Sequence, residues 1–447
     1  MNYPISPLLT DLYQLTMMQA YNDNGMHDEA AFEFFFRKLP DERSFLVACG
    51  LQQVIEFLET LHFSEDDIEF LRQDGRFNSQ FLASLADLRF TGSIHALPEG
   101  TIFFPDEPLI RVTAPLPIAQ LVETRIINIL QYQTMICSKA ARMKQVMPDK
   151  ILVDYGLRRS HGAEAGVMAA RASYIAGFDG TATVLAGKLY GIPLYGTMAH
   201  SFIQAHDSEK SAFINFARSH PENTVLLLDT YDTEHGAQKV VELAAEFKSN
   251  NIKIKGVRLD SGDMVSLSKR VRQKLDDADL KDIKIFASGN LDEYSLAEFR
   301  ENNAPVDGFG IGSKMTTSAD VPYFDCAYKL VEYKNLGRRK LSTSKITWPG
   351  RKQIFRHYDS NHTMVGDSLS LETEQHQTAE PLMQQYMEKG KSIQTLPSLD
   401  ETQQYFAEQM KQLPSLELLN KPYPVKPSSK LQAYSDKVAK RMIDSNR

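Results

Sequence analysis

The chain has 447 residues, 42% of them apolar and 24% charged, with 57 acidic against 50 basic side chains and a formal net charge of −7. That length is a prior for two or three domains with sizeable cores. The acidic balance argues against a general nucleic-acid binder, which needs a basic field to displace counterions. No apolar run approaches the roughly 20 residues of a membrane span. The opening MNYPISPLLTDLYQ lacks the basic flank and apolar stretch of a signal peptide. Cys49, Cys137 and Cys326 stand far apart, which suggests neither a disulfide framework nor a cysteine zinc site. The expectation is a reduced, cytoplasmic protein with no membrane and no nucleic-acid partner.

Up to about residue 125 the pattern mixes strands and helices. The aromatic run 31–39 (AFEFFFRKL) predicts a strand, and 51–61 has helical spacing. Residues 93–113 form short apolar pieces broken by Pro98, Gly100, Pro105 and Pro108, which fits an antiparallel or mixed sheet. A long helical pattern follows at 118–146. From about 150 to 332 strand-like runs at 151–155, 192–196, 224–228, 252–259, 283–288 and 306–311 alternate with helical stretches at 208–219, 234–249, 264–277 and 293–302. This rhythm predicts βα units and a parallel sheet, closed as a barrel or open. Residues 326–333 are a candidate seventh strand. The stretch 337–356 carries seven basic residues and no acidic one, and past it the chain is polar and glutamine-rich, with short helical pieces separated by prolines. The expected organisation is an N-terminal α/β domain at 1–125 and an α/β catalytic domain at 126–335. A basic loop and extension at 336–447 is expected to pack back on the first domain.

Parallel α/β folds bind ligands at the carboxyl ends of their strands. The residues just past each predicted strand are Asp154, Tyr155 and Arg158, then Thr197 and His200, then Asp229. Arg258 with Asp260, Ser288-Gly289-Asn290 and Gly310-x-Gly312 complete the set. A parallel sheet gathers all of them on one rim. The glycines of ASGN (287–290) and GFGIGS (308–313) let backbone N–H groups face a phosphate without an intervening Cβ. Tight turns would use the same residues. In VRLDSGD (257–263) the two-residue period of a strand puts Arg258 and Asp260 on one face. Arginine suits a phosphate or carboxylate, and aspartate suits ribose hydroxyls or a Mg²⁺ shared with pyrophosphate. A structural ion pair is the competing reading. Spacing alone leaves His200 open as general base, phosphate ligand or phosphorylated nucleophile. The basic stretch reads either as solvated surface or as a loop in which Arg351 and Lys352 contact phosphate. The sequence contains no GxxxxGK[ST], no GxGxxG at the start of the α/β region and no GxSxG.

Taken together, LLTDLYQLTM (8–17), DYGLRRSHG (154–162), GFDGTATVLAGKLYGIPLYGTMAHSF (177–202), VRLDSGD, ASGNLDE (287–293) and KLSTSKITWPGRKQIFR (340–356) resemble the nicotinate phosphoribosyltransferase family, in order, over nearly all of 8–356. The resemblance implies an irregular α/β barrel of the type II phosphoribosyltransferase kind, an α/β N-terminal sandwich domain and a homodimer with sites near the interface. It implies synthesis of nicotinate mononucleotide from nicotinate and 5-phosphoribosyl 1-pyrophosphate in NAD salvage, with Mg²⁺ and with ATP hydrolysis through a phosphohistidine at His200. His200, Arg258 and Asp260 would be catalytic. Tyr13, reaching a neighbouring subunit's site, would meet nicotinate together with Tyr155, Arg158, Thr197 and Arg258. Ser288, Gly289, Asn290, Gly310, Gly312 and Thr317 would meet the phosphoribosyl donor. Nicotinamide relatives carry an Asp in a GTDT stretch, where this chain has Gly180-Thr181-Ala182-Thr183, so a carboxylate that would repel nicotinate is absent. The alternatives are a relative acting on nicotinamide or quinolinate, and a non-catalytic nucleotide-binding protein.

Overall fold

The computed structural model describes residues 6–40, 43–341, 347–414 and 422–445. The chain divides into two compact units, one formed by 1–137 with 323–447 and the other by 138–322. The changeovers fall at 137/138 and 322/323, against the expected 125 and 335. The first lies inside the helix Glu123–Val146, where an uninterrupted helical pattern carries no mark of a boundary.

The discontinuous unit is built on an antiparallel sheet. Its order is Leu336–Gly337, Asp325–Tyr333, Glu29–Lys38, Pro108–Pro115, Ser93–Ala96, Gln384–Glu388, Lys391–Ser392. Glu29–Lys38 is central because its aromatic residues fill both faces: Phe32, Phe34 and Phe36 are buried on one, Ala31 and Phe35 on the other. Asp325–Tyr333, the candidate seventh strand of the parallel sheet, instead pairs antiparallel with Glu29–Lys38. A buried strand looks alike in sequence whichever sheet receives it, so periodicity did not separate the two outcomes.

The basic stretch is corrected in the same unit. Lys352 is 4% exposed and lies 2.6 Å from the carboxylate of Glu33, itself fully buried. Arg351 reaches Glu29 at 2.6 Å and Glu332 at 2.9 Å. Both cations are taken up by carboxylates of the central strands, and Lys352 opens the strand Lys352–Tyr358 of a second, four-stranded sheet. Residues 342–346 of that stretch lie outside the described residues.

The continuous unit holds six parallel strands in the order Gly180–Thr181, Ile151–Asp154, Gly308–Ile311, Lys284–Ser288, Ile254–Leu259, Thr224–Leu227. The two edge strands do not pair with each other, so the sheet is a curled half-barrel. The helices Glu209–Ser219, Thr233–Ser249, Met264–Asp277 and Glu293–Glu301 match the predicted stretches closely. Asp232, Asp263 and Asp292 cap the last three by accepting backbone N–H groups, which lets each helix start within a few residues of a strand end. The predicted strand at 192–196 contributes only one bridge, Leu194 to Thr181. Pro193 has no N–H to give a ladder, and its carbonyl sits where a Cβ on Gly180 would fall, 2.4 Å away. The short strand Gly180–Thr181 beside it gave no sequence signal.

Candidate active site

The site is built at the carboxyl edge of the half-barrel sheet. Arg258, near the end of Ile254–Leu259, donates from Nη1 to the hydroxyl of Thr197 at 2.6 Å. It also hydrogen-bonds the hydroxyl of Tyr155, whose acidity is lowered by burial first of all, with the arginine's charge opposing that effect. The Nε of Arg258 is buried with no partner among the described residues. A half-satisfied guanidinium of this kind presents a donor to any planar acceptor that enters.

Two residues further on, Asp260 leaves the strand on the same face. Its Oδ1 accepts a short hydrogen bond from Ser288, and its Oδ2 lies 3.7 Å from Nε2 of His200. His200 opens the helix His200–Gln204, with Nδ1 3.1 Å from the hydroxyl of Thr230. Asp229 approaches Nε2 of the same ring at 4.0 Å. Its Oδ2 accepts the backbone N–H of Asp260 at 3.0 Å and the hydroxyl of Ser261, while its Oδ1 is buried without a hydrogen bond. The histidine is therefore about one-third exposed and flanked by two carboxylates.

The glycines have separate tasks. Gly289 has φ +104°, and a Cβ there would stand 2.2 Å from the carbonyl oxygen of Asp260. The adjacent Asn290 is also left-handed, at φ 53°, and exposed. Gly310 lets the Tyr155 ring lie flat on its strand, since a Cβ would come within 2.5 Å of the ring. Gly312 has φ −121° and its nearest neighbour would be 3.3 Å away, so backbone geometry leaves it the freest of the three. Thr317, at the end of Ser313–Thr316, donates its hydroxyl to Ser313 O at 2.7 Å.

Asp154 serves as a brace. Fully buried, it accepts from Gly156 N at 2.7 Å and from the Thr181 hydroxyl at 2.6 Å, and burial raises its carboxyl to about 6 despite those bonds. The turn it fixes carries Tyr155 and Ala182, whose N–H donates to Asp154 O at 2.8 Å. Arg158 sits exposed in the one-turn helix Leu157–Arg159.

The half-barrel unit thus brings together Tyr155, Thr197, His200, Arg258, Asp260, Ser288 and Gly289. Tyr13 belongs to the other unit, half-exposed on the helix Leu12–Asp23, with its hydroxyl pushed up to about 12 by burial and by Glu123. Sequence reasoning missed Thr230 as the partner of Nδ1. The signal available was its place one residue past Asp229, at the end of a predicted strand.

This geometry can be set beside known proteins. Family models match in three consecutive segments: the nicotinate phosphoribosyltransferase N-terminal domain at 8–131, the nicotinate phosphoribosyltransferase family at 151–346 and the family's C-terminal domain at 374–434. A nicotinate phosphoribosyltransferase of Mycobacterium tuberculosis, pncB2, is 45% identical over 96% of this chain and 92% of its own. The chain belongs to the nicotinate phosphoribosyltransferase family. The Bacillus subtilis member is 40% identical over 82% of this chain and 76% of its own. The crystal structure of human nicotinic acid phosphoribosyltransferase superposes with a TM-score of 0.87 at 29% identity, covering 96% of this chain and 99% of that one. The expected fold, a type II phosphoribosyltransferase barrel with a separate sheet-based domain, is the fold observed. Among the described residues no helix is long and apolar enough to cross a membrane.

Proposed function

We propose that the chain transfers the phosphoribosyl group of 5-phosphoribosyl 1-pyrophosphate to the ring nitrogen of nicotinate, forming nicotinate mononucleotide for NAD salvage, and hydrolyses ATP through a phosphohistidine at His200. The observation that carries this reading is the closeness of Arg258, near the end of its strand and engaged with Thr197, to Asp260, just past that strand and beside His200. In the transfer, the C1–O bond to pyrophosphate breaks as the C1–N bond to the pyridine forms. The sugar passes through oxocarbenium character, so the protein mainly positions the ring and neutralises the leaving anion. Arg258, Thr197 and Tyr155 hold the aromatic acid through its carboxylate. Asp260 and Ser288 address the ribose, and Gly289 to Asn290 and Gly310 to Gly312 offer backbone N–H groups to phosphate.

His200 attacks the γ-phosphorus of ATP through one ring nitrogen: the N–P bond forms, the bond to the β-phosphate oxygen breaks and ADP departs. Water later cleaves the N–P bond to phosphate. Asp229 and Asp260 stabilise the positive ring that develops during the attack, and Thr230 fixes its orientation. The donor set suits Mg²⁺ in part. Among the described residues no group of three or more His, Cys, Asp or Glu could hold a metal ion alone. The unpartnered Oδ1 of Asp229 and the carboxylate of Asp260 would form the incomplete set that substrate phosphates and water complete. There the ion would supply charge neutralisation for pyrophosphate. The homodimer, with Tyr13 stacking on the pyridine of the partner subunit, is part of the same proposal.

The test is incubation with nicotinate, the phosphoribosyl donor and Mg²⁺, with and without ATP, measuring the mononucleotide and ADP and then the intact mass. Product with stoichiometric ADP and a phosphate mapped to His200 supports the reading. Product without any phosphorylated histidine removes the ATP coupling, and turnover only with nicotinamide or quinolinate replaces the substrate.

A further inference from the structure

A cavity of about 620 Å³ lies wholly in the discontinuous unit. It is lined by residues of the loop at 98–99, of the strand Gln384–Glu388, of the segment 394–397 and of the helix Leu399–Gln412. Its volume falls within the range of small-molecule sites. Glu99, Glu380 and Glu401 contribute carboxylates, Tyr386 and Tyr405 contribute rings, and no lysine, arginine or histidine is among its lining residues.

The decisive side chain is Tyr386. It is 4% exposed, it lines the cavity, and its hydroxyl makes no hydrogen bond among the described residues. The ring is packed away while the hydroxyl oxygen keeps access to the cavity, which leaves a donor and an acceptor for a ligand. Tyr405, by contrast, shares a hydrogen bond with Thr101 at 3.2 Å. Gln384 and Tyr386, which sit either side of the start of a bulge in this strand, both line the cavity, so a donor and acceptor pair and an aromatic ring meet the same space.

The carboxylates are held in place from behind. Glu99 accepts the Gly50 N–H at 2.6 Å, Glu380 accepts the Tyr358 hydroxyl at 3.0 Å, and Glu401 closes the capping box with Ser398. For Glu380 and Glu401 the donors are a tyrosine hydroxyl and the Ser398 cap, both neutral, so those bonds orient the two acids without cancelling their charge. An electronegative, aromatic-walled cavity repels phosphates and carboxylates and attracts cations, through Coulomb terms and through the ring faces.

We propose that this cavity is a second ligand site that takes a small organic cation, an amine or guanidinium compound with a short apolar body, and accepts its hydrogen bonds at Glu380, Glu401 and the Tyr386 hydroxyl. It is independent of the transfer chemistry. Nicotinate, the phosphoribosyl donor and ATP are all anions, so none of the substrates of that reaction has the charge to enter it.

The probes are agmatine and spermidine, titrated calorimetrically into the full-length protein, with AMP as an anionic control. Saturable binding of a cation probe with a dissociation constant below about 1 mM is expected, weakening as salt is added. Glu401→Gln, which keeps a capping residue, and Glu380→Gln should each weaken it about five- to tenfold. Tyr386→Phe should weaken it by a smaller factor with no change in thermal midpoint. Absence of cation binding, binding of AMP in its place, or cation binding indifferent to all three substitutions overturns the proposal.

Discussion

Arg258 and Thr197 are 61 residues apart in the chain and joined by a 2.6 Å hydrogen bond from guanidinium to hydroxyl. That bond ties the strand Ile254–Leu259 to the loop that delivers His200 three residues later. Replacing Thr197 by Val keeps the shape and removes the acceptor. A hydrogen bond to a charged group is worth about 1.5–3 kcal/mol, so kcat/KM for nicotinate should fall about tenfold to a hundredfold. Most of the change should lie in KM, with little shift in thermal midpoint. Unchanged steady-state kinetics would remove Thr197 from the pyridine pocket.

Gly289 and Gly312 should separate sharply when each becomes alanine. At Gly289 a Cβ meets the Asp260 carbonyl at 2.2 Å with φ +104°, so the variant should lose about 2 kcal/mol or more of stability and most activity. At Gly312 the nearest atom is 3.3 Å away and φ is −121°, so folding should be close to wild type. Weaker binding of the phosphoribosyl donor there would then report backbone contact with phosphate. Denaturant unfolding with donor titration decides both.

Asp154 predicts a pH signature. Burial raises its folded carboxyl to about 6 from the ordinary 3.8, so the protonated form is the one the fold favours. Its stabilising contribution is complete below about pH 4 and is lost as pH climbs through about 6. Against Asp154→Asn, which does not titrate, the wild type should lose about 2–3 kcal/mol of relative stability between pH 4 and pH 7. A difference that is flat with pH contradicts the assignment.

Ala182 follows Thr181 in the turn braced by Asp154. An Ala182→Asp variant places a carboxylate where an acid substrate would be repelled. Preference should move from nicotinate towards nicotinamide by about tenfold or more. Unchanged competition kinetics would refute this account of specificity.

Lys352→Met tests the corrected reading of the basic stretch. With Glu33 left buried and uncompensated, stability should drop by about 3–5 kcal/mol. Affinity for the phosphoribosyl donor should hold, and a salt-dependent loss of that affinity with normal stability would restore the phosphate-loop reading.

Local pattern was enough for some features. The helices at 209–219, 233–249, 264–277 and 293–301 were legible because their apolar spacing and capping aspartates are set by neighbouring residues. The rim was legible too: Arg258 and Asp260 share a face by strand period alone, and the glycines of ASGN mark a backbone that needs φ above zero.

Partnership was not legible. The sequence by itself determined the alternating βα order, the residue types at the strand ends and the family to which they belong. Only the tertiary structure decided that residues 325–333 complete the antiparallel sheet, that Lys352 neutralises Glu33, that Thr230 and Asp229 flank His200, and that residues 380–405 close an acidic cavity with Glu99. The physical reason is range. Propensity and periodicity act over one or two turns, whereas a buried charge or an unpaired hydroxyl is satisfied by whatever the packed chain brings beside it, from any distance along the sequence.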